Sequence, residues 1–149
     1  MSITISTTVD IDAPINLVWD VLTDFAAYRD WNPFMEIEGA AQVGTKLNVH
    51  MGASGGRGMA FKPTVLAASP GRELRWLGKL GFGGIADGEH FFILTPNAHG
   101  STCVTHGERY SGVLVALLRP FMKKGKSQNG YEDFNRVFKQ HVESVRDAA

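Results

Sequence analysis

From residue 34 to residue 111 the chain alternates apolar and polar residues at period two. Turn signals cut the alternation at Gly44, Gly55-Gly56, Pro70-Gly71, Gly83-Gly84 and Asn97 to Gly100. This constrains the fold more than any other feature, because a period of two places alternate side chains on opposite faces of a strand. The pattern predicts strands at about 35–41, 45–53, 58–69, 72–81, 86–96 and 101–111, joined as an antiparallel meander. Parity then separates the faces. Leu47, Val49 and Met51 oppose Lys46, Asn48 and His50; Met59, Phe61 and Val65 oppose Lys62 and Thr64. Leu74, Trp76 and Leu80 oppose Arg75 and Lys79, and Val104, His106, Glu108 and Tyr110 oppose Cys103, Thr105 and Arg109. One face is therefore apolar and the other wet. On the strand at 86–96, His90, Phe92 and Leu94 continue the inner face. Phe91 and Ile93 are left outward, an apolar pair that a second copy of the chain would cover in a homodimer.

The flanks complete the architecture. "SITISTTVDI" at 2–11 alternates like a seventh strand with one buried face. In "DAPINLVWDVLTDF", Pro14 suits a first helical turn, and Val18, Val21, Leu22 and Phe25 fall at helical spacing. A further turn of helix around residues 26–30 runs into Asn32-Pro33, a break, since proline disfavours helix in the residue before it. Phe25, Tyr28, Trp31 and Phe34 crowd this joint, so it is packed rather than exposed. Tyr131, Phe134, Phe138, Val142 and Val145 form a stripe on one long C-terminal helix over about 113–146, with weak points at Pro120 and Gly125. The order strand, two small helices, six strands and long helix gives an α+β fold. Its curved seven-stranded antiparallel sheet has its apolar face turned to the helix. One helix, about 10 Å across with its side chains, cannot fill the concavity of so wide a sheet. A cavity is expected between them, with the aromatic joint as its wall and plug.

Size and charge narrow the function. The 149 residues suit a single domain, and a hydrophobic fraction of 44% is ordinary for a globular chain. Fifteen basic residues balance fifteen acidic ones, so no net field draws nucleic acid or an anionic membrane. The cluster Lys123, Lys124 and Lys126 reads as a solvated face. The apolar run "GVLVALL" at 112–118 is too short for stable insertion in a bilayer, and "MSITISTTVDID" lacks a signal-peptide pattern. A soluble cytoplasmic protein is the expectation. Cys103 is the single cysteine, so no internal disulfide forms.

"DIDAPINLVWDVLTDFAAYRDWNPF" resembles the N-terminal signature of the START-like superfamily, in its polyketide cyclase/dehydrase-like or SRPBCC branch. The matching elements are Ala13-Pro14, Val18-Trp19, Val21-Leu22, Phe25, Tyr28 and Trp31-Asn32-Pro33-Phe34. "GRGMAFKPTVLAASPGRELRWLG", "GEHFFILTP" and "ERYSG" are similar to later strands of that branch, so the resemblance spans about residues 3–146. It implies a helix-grip fold of the START/Bet v 1 type around an internal cavity. It implies a function among lipid and hormone binders, polyketide cyclases and ring-hydroxylating subunits. It carries over no catalytic signature, and function argued from fold alone is analogy.

The polar residues on the inner face are the candidate chemistry. His106 and Glu108 lie two apart on one strand, so they point the same way, about 7 Å apart. His90 on the next strand approaches them. A histidine and a carboxylate in an apolar cavity would serve a cyclase or dehydratase as acid and base. Alternatively, Glu108 pairs with Arg57 or a backbone amide, and the histidines sit at a wet cavity mouth. Met59, Phe61, Trp76, His90, Phe92, Tyr110, Phe134 and Phe138 are expected to line the cavity as a sleeve for a hydrophobic or aromatic ligand. Otherwise they fill the core. Neither a metal nor a cofactor is expected. The five histidines, at 50, 90, 99, 106 and 141, show no metal-ligand spacing. The glycines of "GKLGFGGIADG" open no helix that would cradle a phosphate. "GASGGRG" reads as a hairpin turn whose Arg57 would guard an entrance.

Overall fold

A computed structural model describes residues 2–52, 58–121 and 124–149, with the side chains of 121–128 left aside. The hairpin turn expected at 52–58, Arg57 and the side chains of Lys123, Lys124 and Lys126 therefore lie outside the described residues. The described residues form eight strands: β1 (Ser2–Ile11), β2 (Met35–Glu38), β3 (Asn48–Met51), β4 (Met59–Phe61), β5 (Thr64–Ser69), β6 (Glu73–Leu80), β7 (Ala86–Pro96) and β8 (Thr102–Ser111). The helices are α1 (Ile15–Thr23), α2 (Tyr28–Trp31), α3 (Val113–Leu118) and α4 (Lys124–Ala148).

All pairings are antiparallel. β1-β8-β7-β6-β5 form one sheet and β2-β3-β4 a second. The single strand expected over 58–69 is split at Lys62-Pro63, because proline has no N–H to give to a ladder. The Pro63 carbonyl instead accepts from Leu47 N at 2.8 Å, and Val65 N donates to the Thr45 carbonyl at 2.9 Å. The two sheets thus meet along a seam, with Lys46 bridged to Thr64. A register shift between Val65 and Ala67 adds to the bend. The expected seven-stranded sheet is five strands plus three, curved across this seam.

The C-terminal region is two helices rather than one. α3 ends at Leu118 and a 3-10 turn over Arg119–Phe121 follows, since Pro120 cannot continue an α-helix. Gly125 lies inside α4 without ending it. α4 crosses the concave face and buries Tyr131, Phe134, Phe138 and Val142 of the stripe read from the sequence, while Val145 is half-buried. Its far end is tied to the β1–α1 corner. Asp12 N donates to Glu143 at 3.0 Å, Lys139 Nζ donates to the Asp10 carbonyl at 2.7 Å, and Arg146 pairs with Asp12 at 2.9 Å.

The aromatic joint packs on α4. Phe25 and Tyr28 are buried, and the Trp31 ring stacks on both Phe138 and His141, with centroids 5.6 and 5.4 Å apart. The Tyr28 hydroxyl donates to the Leu22 carbonyl. Asn32 Oδ1 accepts from Phe34 N at 2.9 Å and Met35 N at 3.2 Å, which turns the chain from α2 into β2.

The outer face differs from expectation at one place. Phe91 does point outward, but it is only 7% exposed within the single chain. The Arg75 guanidinium lies over its ring at 5.2 Å, held there by Glu73 at 3.0 Å and Glu89 at 3.1 Å. Phe91 is thus covered within the chain, while Ile93, the other member of the expected outer pair, is half-buried.

Candidate functional site: a half-apolar cavity with a buried polar chain

A cavity of about 680 Å³ lies between the concave sheet and the α3–α4 region. Met35, Met51, Met59, Phe61, Trp76 and Phe134 give it apolar walls. Gly78 and Gly88 face each other across β6 and β7 on the wall and bring no side chain of their own; the Glu108 carboxylate lies over Gly88 and the Phe61 ring beside Gly78. The cavity is not enclosed as expected. Among the described residues it opens where Met59 and Leu80 are 67% and 65% exposed.

Its inner end is polar. His90 and Glu108 are paired in register across β7 and β8, and His106 lies two residues before Glu108 on the same face. His106 and Glu108 do not bond directly, because His90 stands between them. His90 Nε2 lies 2.7 Å from His106 Nε2, and His90 Nδ1 lies 3.4 Å from Glu108 Oε2. Behind them, α4 brings Asn135 Oδ1 to 3.0 Å from His106 Nδ1. In front, the Tyr131 hydroxyl donates to Glu108 Oε2 at 2.8 Å, and Tyr110 lies 3.3 Å from the same oxygen and 3.1 Å from Tyr131. The result is one chain: Asn135, His106, His90, Glu108 and the two phenols.

Counting protons along the chain fixes its polarity. With Asn135 Oδ1 toward the ring, His106 donates through Nδ1 and presents the lone pair of Nε2. His90 must then donate through Nε2, while its Nδ1 faces a carboxylate, which accepts only. The chain is fully bonded when His90 is an imidazolium. Trp76 supports that form by stacking on the His90 ring with centroids 4.8 Å apart and planes 4° from parallel.

The neighbouring groups titrate accordingly. Burial pushes the His106 imidazole well below the ordinary histidine range, and His90 adds to this against weaker opposition from Asn135 and the Tyr131 backbone. Burial pushes the Glu108 carboxyl up, but the hydrogen bond and charge of His90 and the two phenols together hold it below its usual value. Tyr110 is pushed up to about 12, by burial first and Glu108 second. Burial and Glu108 push Tyr131 up as well, so both phenols remain donors. An ionised carboxylate is thus held inside an apolar cavity.

Six of the eight residues expected as ligand contacts do line the cavity: Met59, Phe61, Trp76, His90, Tyr110 and Phe134, together with His106 and Glu108. Phe92 and Phe138 do not. Phe92 is fully buried and stacks on His106 at 4.2 Å, behind the wall. Phe138 is fully buried against Trp31, one turn of α4 beyond the cavity. Sequence reasoning missed Asn135 and Tyr131 as partners of the cluster. They lie four apart on α4, so one helix face presents both, and a polar residue on an otherwise apolar stripe was the available signal. Elsewhere, burial and then Asp10 push the Cys103 thiol up, away from a nucleophile's range. Among the described residues no group of three or more His, Cys, Asp or Glu is placed to hold a metal ion, and no helix is long and apolar enough to cross a membrane.

Comparison with known proteins follows the fold. The sequence pattern of the family described as "Polyketide cyclase / dehydrase and lipid transport" matches residues 2–143. A protein from Mesorhizobium loti is 21% identical with a TM-score of 0.70, covering 95% of this chain and 98% of its own. One from Chromobacterium violaceum is 20% identical with a TM-score of 0.71, covering 94% and 96%. Norcoclaurine synthase from Thalictrum flavum, in complex with dopamine and hydroxybenzaldehyde, is 15% identical with a TM-score of 0.68, covering 97% and 88%. These similarities share the helix-grip architecture and, at such identities, the fold alone. No curated protein matches the chain.

Proposed function

This chain belongs to the polyketide cyclase / dehydrase and lipid transport family, and from that premise we propose that it binds a hydrophobic or aromatic small molecule between its sheet and α4. One observation carries the reading. A cavity of about 680 Å³ has walls of Met, Phe and Trp side chains that converge on a single polar cluster. That is the build of a small-molecule site, in which apolar surface supplies affinity and a few placed polar groups supply orientation. Trp76 and Phe134 border the cavity at its buried end, and the flexible Met51 and Met59 side chains adapt to a ligand's outline.

Mass spectrometry under native conditions tests this on the protein as purified and after incubation with pyrene. An apolar molecule retained in the intact protein, or stoichiometric uptake of pyrene, is the expected result. A protein that is empty as purified and takes up no pyrene at high micromolar concentration would sink the reading.

A second reading, a cyclase- or dehydratase-like enzyme, is favoured by the ionised Glu108 inside the cavity. In it, Glu108 accepts a proton from a bound substrate and His90 returns one, with His106 and Asn135 holding His90 in place from behind. The pair first read as His106 and Glu108 becomes His90 and Glu108, since His106 reaches the carboxylate only through His90. Glu108→Gln separates the readings. It costs an enzyme roughly 10²–10⁴-fold in rate with ligand uptake little changed. In a carrier it alters affinity alone.

A further inference from the structure

Apart from the Asn135 amide nitrogen, which has no partner, the polar cluster directs its hydrogens to its own members. Every hydrogen bond to Glu108 ends on Oε2: from Tyr131 at 2.8 Å, Tyr110 at 3.3 Å and His90 Nδ1 at 3.4 Å. The other donor of His90 goes to His106, and that of His106 to Asn135. Tyr131 gives its hydrogen to Oε2, and Tyr110 gives its own to Oε2 or to the Tyr131 oxygen. Glu108 Oε1 takes part in none of these bonds. It lies over Gly88, also on the cavity wall, where a Cβ would collide with it. A second acceptor without a partner, Asp87 Oδ1, belongs to the same wall, its Oδ2 being taken by Gly84 N at 3.0 Å. The remaining charged group of the wall is Lys79. It is exposed, with its amine beside Gly83 in the β6–β7 turn.

We propose that Glu108 Oε1 is the selecting atom of the cavity, and that the protein takes apolar molecules carrying a hydroxyl donor, a phenol or an alcohol, and rejects those ending in a carboxylate. Gly88 makes the atom reachable, because any larger residue there would displace the carboxylate. A hydroxyl meets an anionic acceptor held in place by His90, Tyr131 and, when its hydrogen turns that way, Tyr110 on its other oxygen, and bonds to charged groups are the stronger kind. A ligand carboxylate brings no hydrogen. It faces an anion whose nearest ring donor among the described residues, His90, is already paired, so it loses its water without replacement. The inference rests on the cavity being a ligand site and adds what that site discriminates.

Fluorescence titration of the whole protein at pH 7 with pyrene, hydroxypyrene and pyrenecarboxylate tests it. Hydroxypyrene is expected to bind roughly tenfold more tightly than pyrene, and pyrenecarboxylate at least about tenfold more weakly than hydroxypyrene. In Glu108→Gln the hydroxyl advantage shrinks severalfold and the carboxylate recovers. Gly88→Ala, which moves the carboxylate without altering charge, acts in the same direction and serves if Glu108→Gln does not fold. Pyrenecarboxylate binding as tightly as hydroxypyrene, or a hydroxyl advantage unchanged in the variants, overturns the selectivity while leaving the container reading intact. Failure of all three probes to bind overturns the container reading itself, and the two failures are told apart by pyrene alone.

Discussion

Around Phe138, α4 is joined to the body of the protein by rings in contact; around Tyr131, two turns earlier on the same helix, it borders open space. The sheet and the helix are shared, so neither accounts for the difference. At the Phe138 end, the connection between α1 and β2 delivers Phe25, Tyr28 and Trp31, and Trp31 stacks directly on Phe138. At the Tyr131 end, Tyr131 meets the His90 and His106 rings on one side, with centroids 5.8 and 5.0 Å apart, but Gly78 opposite Gly88 brings no side chain to its other side, where the cavity lies. A single helix leaves a gap against a curved sheet, and this chain fills half of it. The packed half supplies stability, which leaves the hollow half free to hold an ionised carboxylate.

If that division is right, stability and binding respond to different substitutions. Phe138→Ala empties a fully buried ring position and should cost about 3–5 kcal/mol of unfolding free energy. Phe61→Ala, on the cavity wall, should cost about 1 kcal/mol or less while weakening pyrene uptake. Chemical denaturation of the two variants measures this, and equal losses would erase the distinction between the halves.

Acid sharpens the comparison, because His106 and Glu108 belong to the hollow half and His141 to the packed one. Native His106 is held neutral, whereas in the unfolded chain it titrates near the ordinary histidine value of 6.5. Below that pH the unfolded state takes up a proton that the native state refuses. Stability should therefore fall on acidification, at a limiting slope of about 1.4 kcal/mol per pH unit for one proton. His141, also lowered by burial, adds in the same direction. Glu108, held below the ordinary carboxylate value of 4.5, gives a contribution that is complete above that pH and lost as pH falls through its native value. Thermal unfolding between pH 8 and pH 5, a window chosen to span the value of about 6.5, should show a shallower dependence in His106→Gln. An unchanged slope would remove His106 as its source.

The smallest expected effect is at Asn135. Asn135→Ala removes the acceptor of His106 but also a buried amide nitrogen that has no partner, so the net cost should be about 1 kcal/mol. The clearer readout is the nitrogen NMR spectrum of the imidazoles. The wild type should show His106 protonated at Nδ1, and the variant a mixture of tautomers. A pure Nδ1-protonated spectrum in the variant would mean that Asn135 does not set the proton order.

How far this was legible in the sequence differs between the two halves. Period-two parity placed Trp76, His90, His106 and Glu108 on one face correctly, because a strand allows only two directions. The crowding of Phe25, Tyr28, Trp31 and Phe34 showed that the joint was packed, yet not which end of α4 it met. Phe138 and Phe92 were therefore expected in the cavity, whereas the joint and His106 cover them. The link from His106 to Glu108 through His90 depends on strand register, which parity does not give. Phe91 was correctly placed outward, but its covering by Arg75 depends on which residues are cross-strand neighbours.

The central claim, that the hollow half holds an apolar ligand, is tested most directly by filling it. Gly78 lies on the cavity wall, and a Cβ there meets the Phe61 ring at an ordinary 3.7 Å, so Gly78→Leu adds its side chain to the void without forcing the backbone. The measurement is the dissociation constant of pyrene for wild type and Gly78→Leu, with circular dichroism confirming that both are folded. The account predicts that binding weakens at least about tenfold, or 1.4 kcal/mol. Equal affinity in the two folded proteins would contradict it, because the ligand would then lie somewhere other than between the sheet and α4.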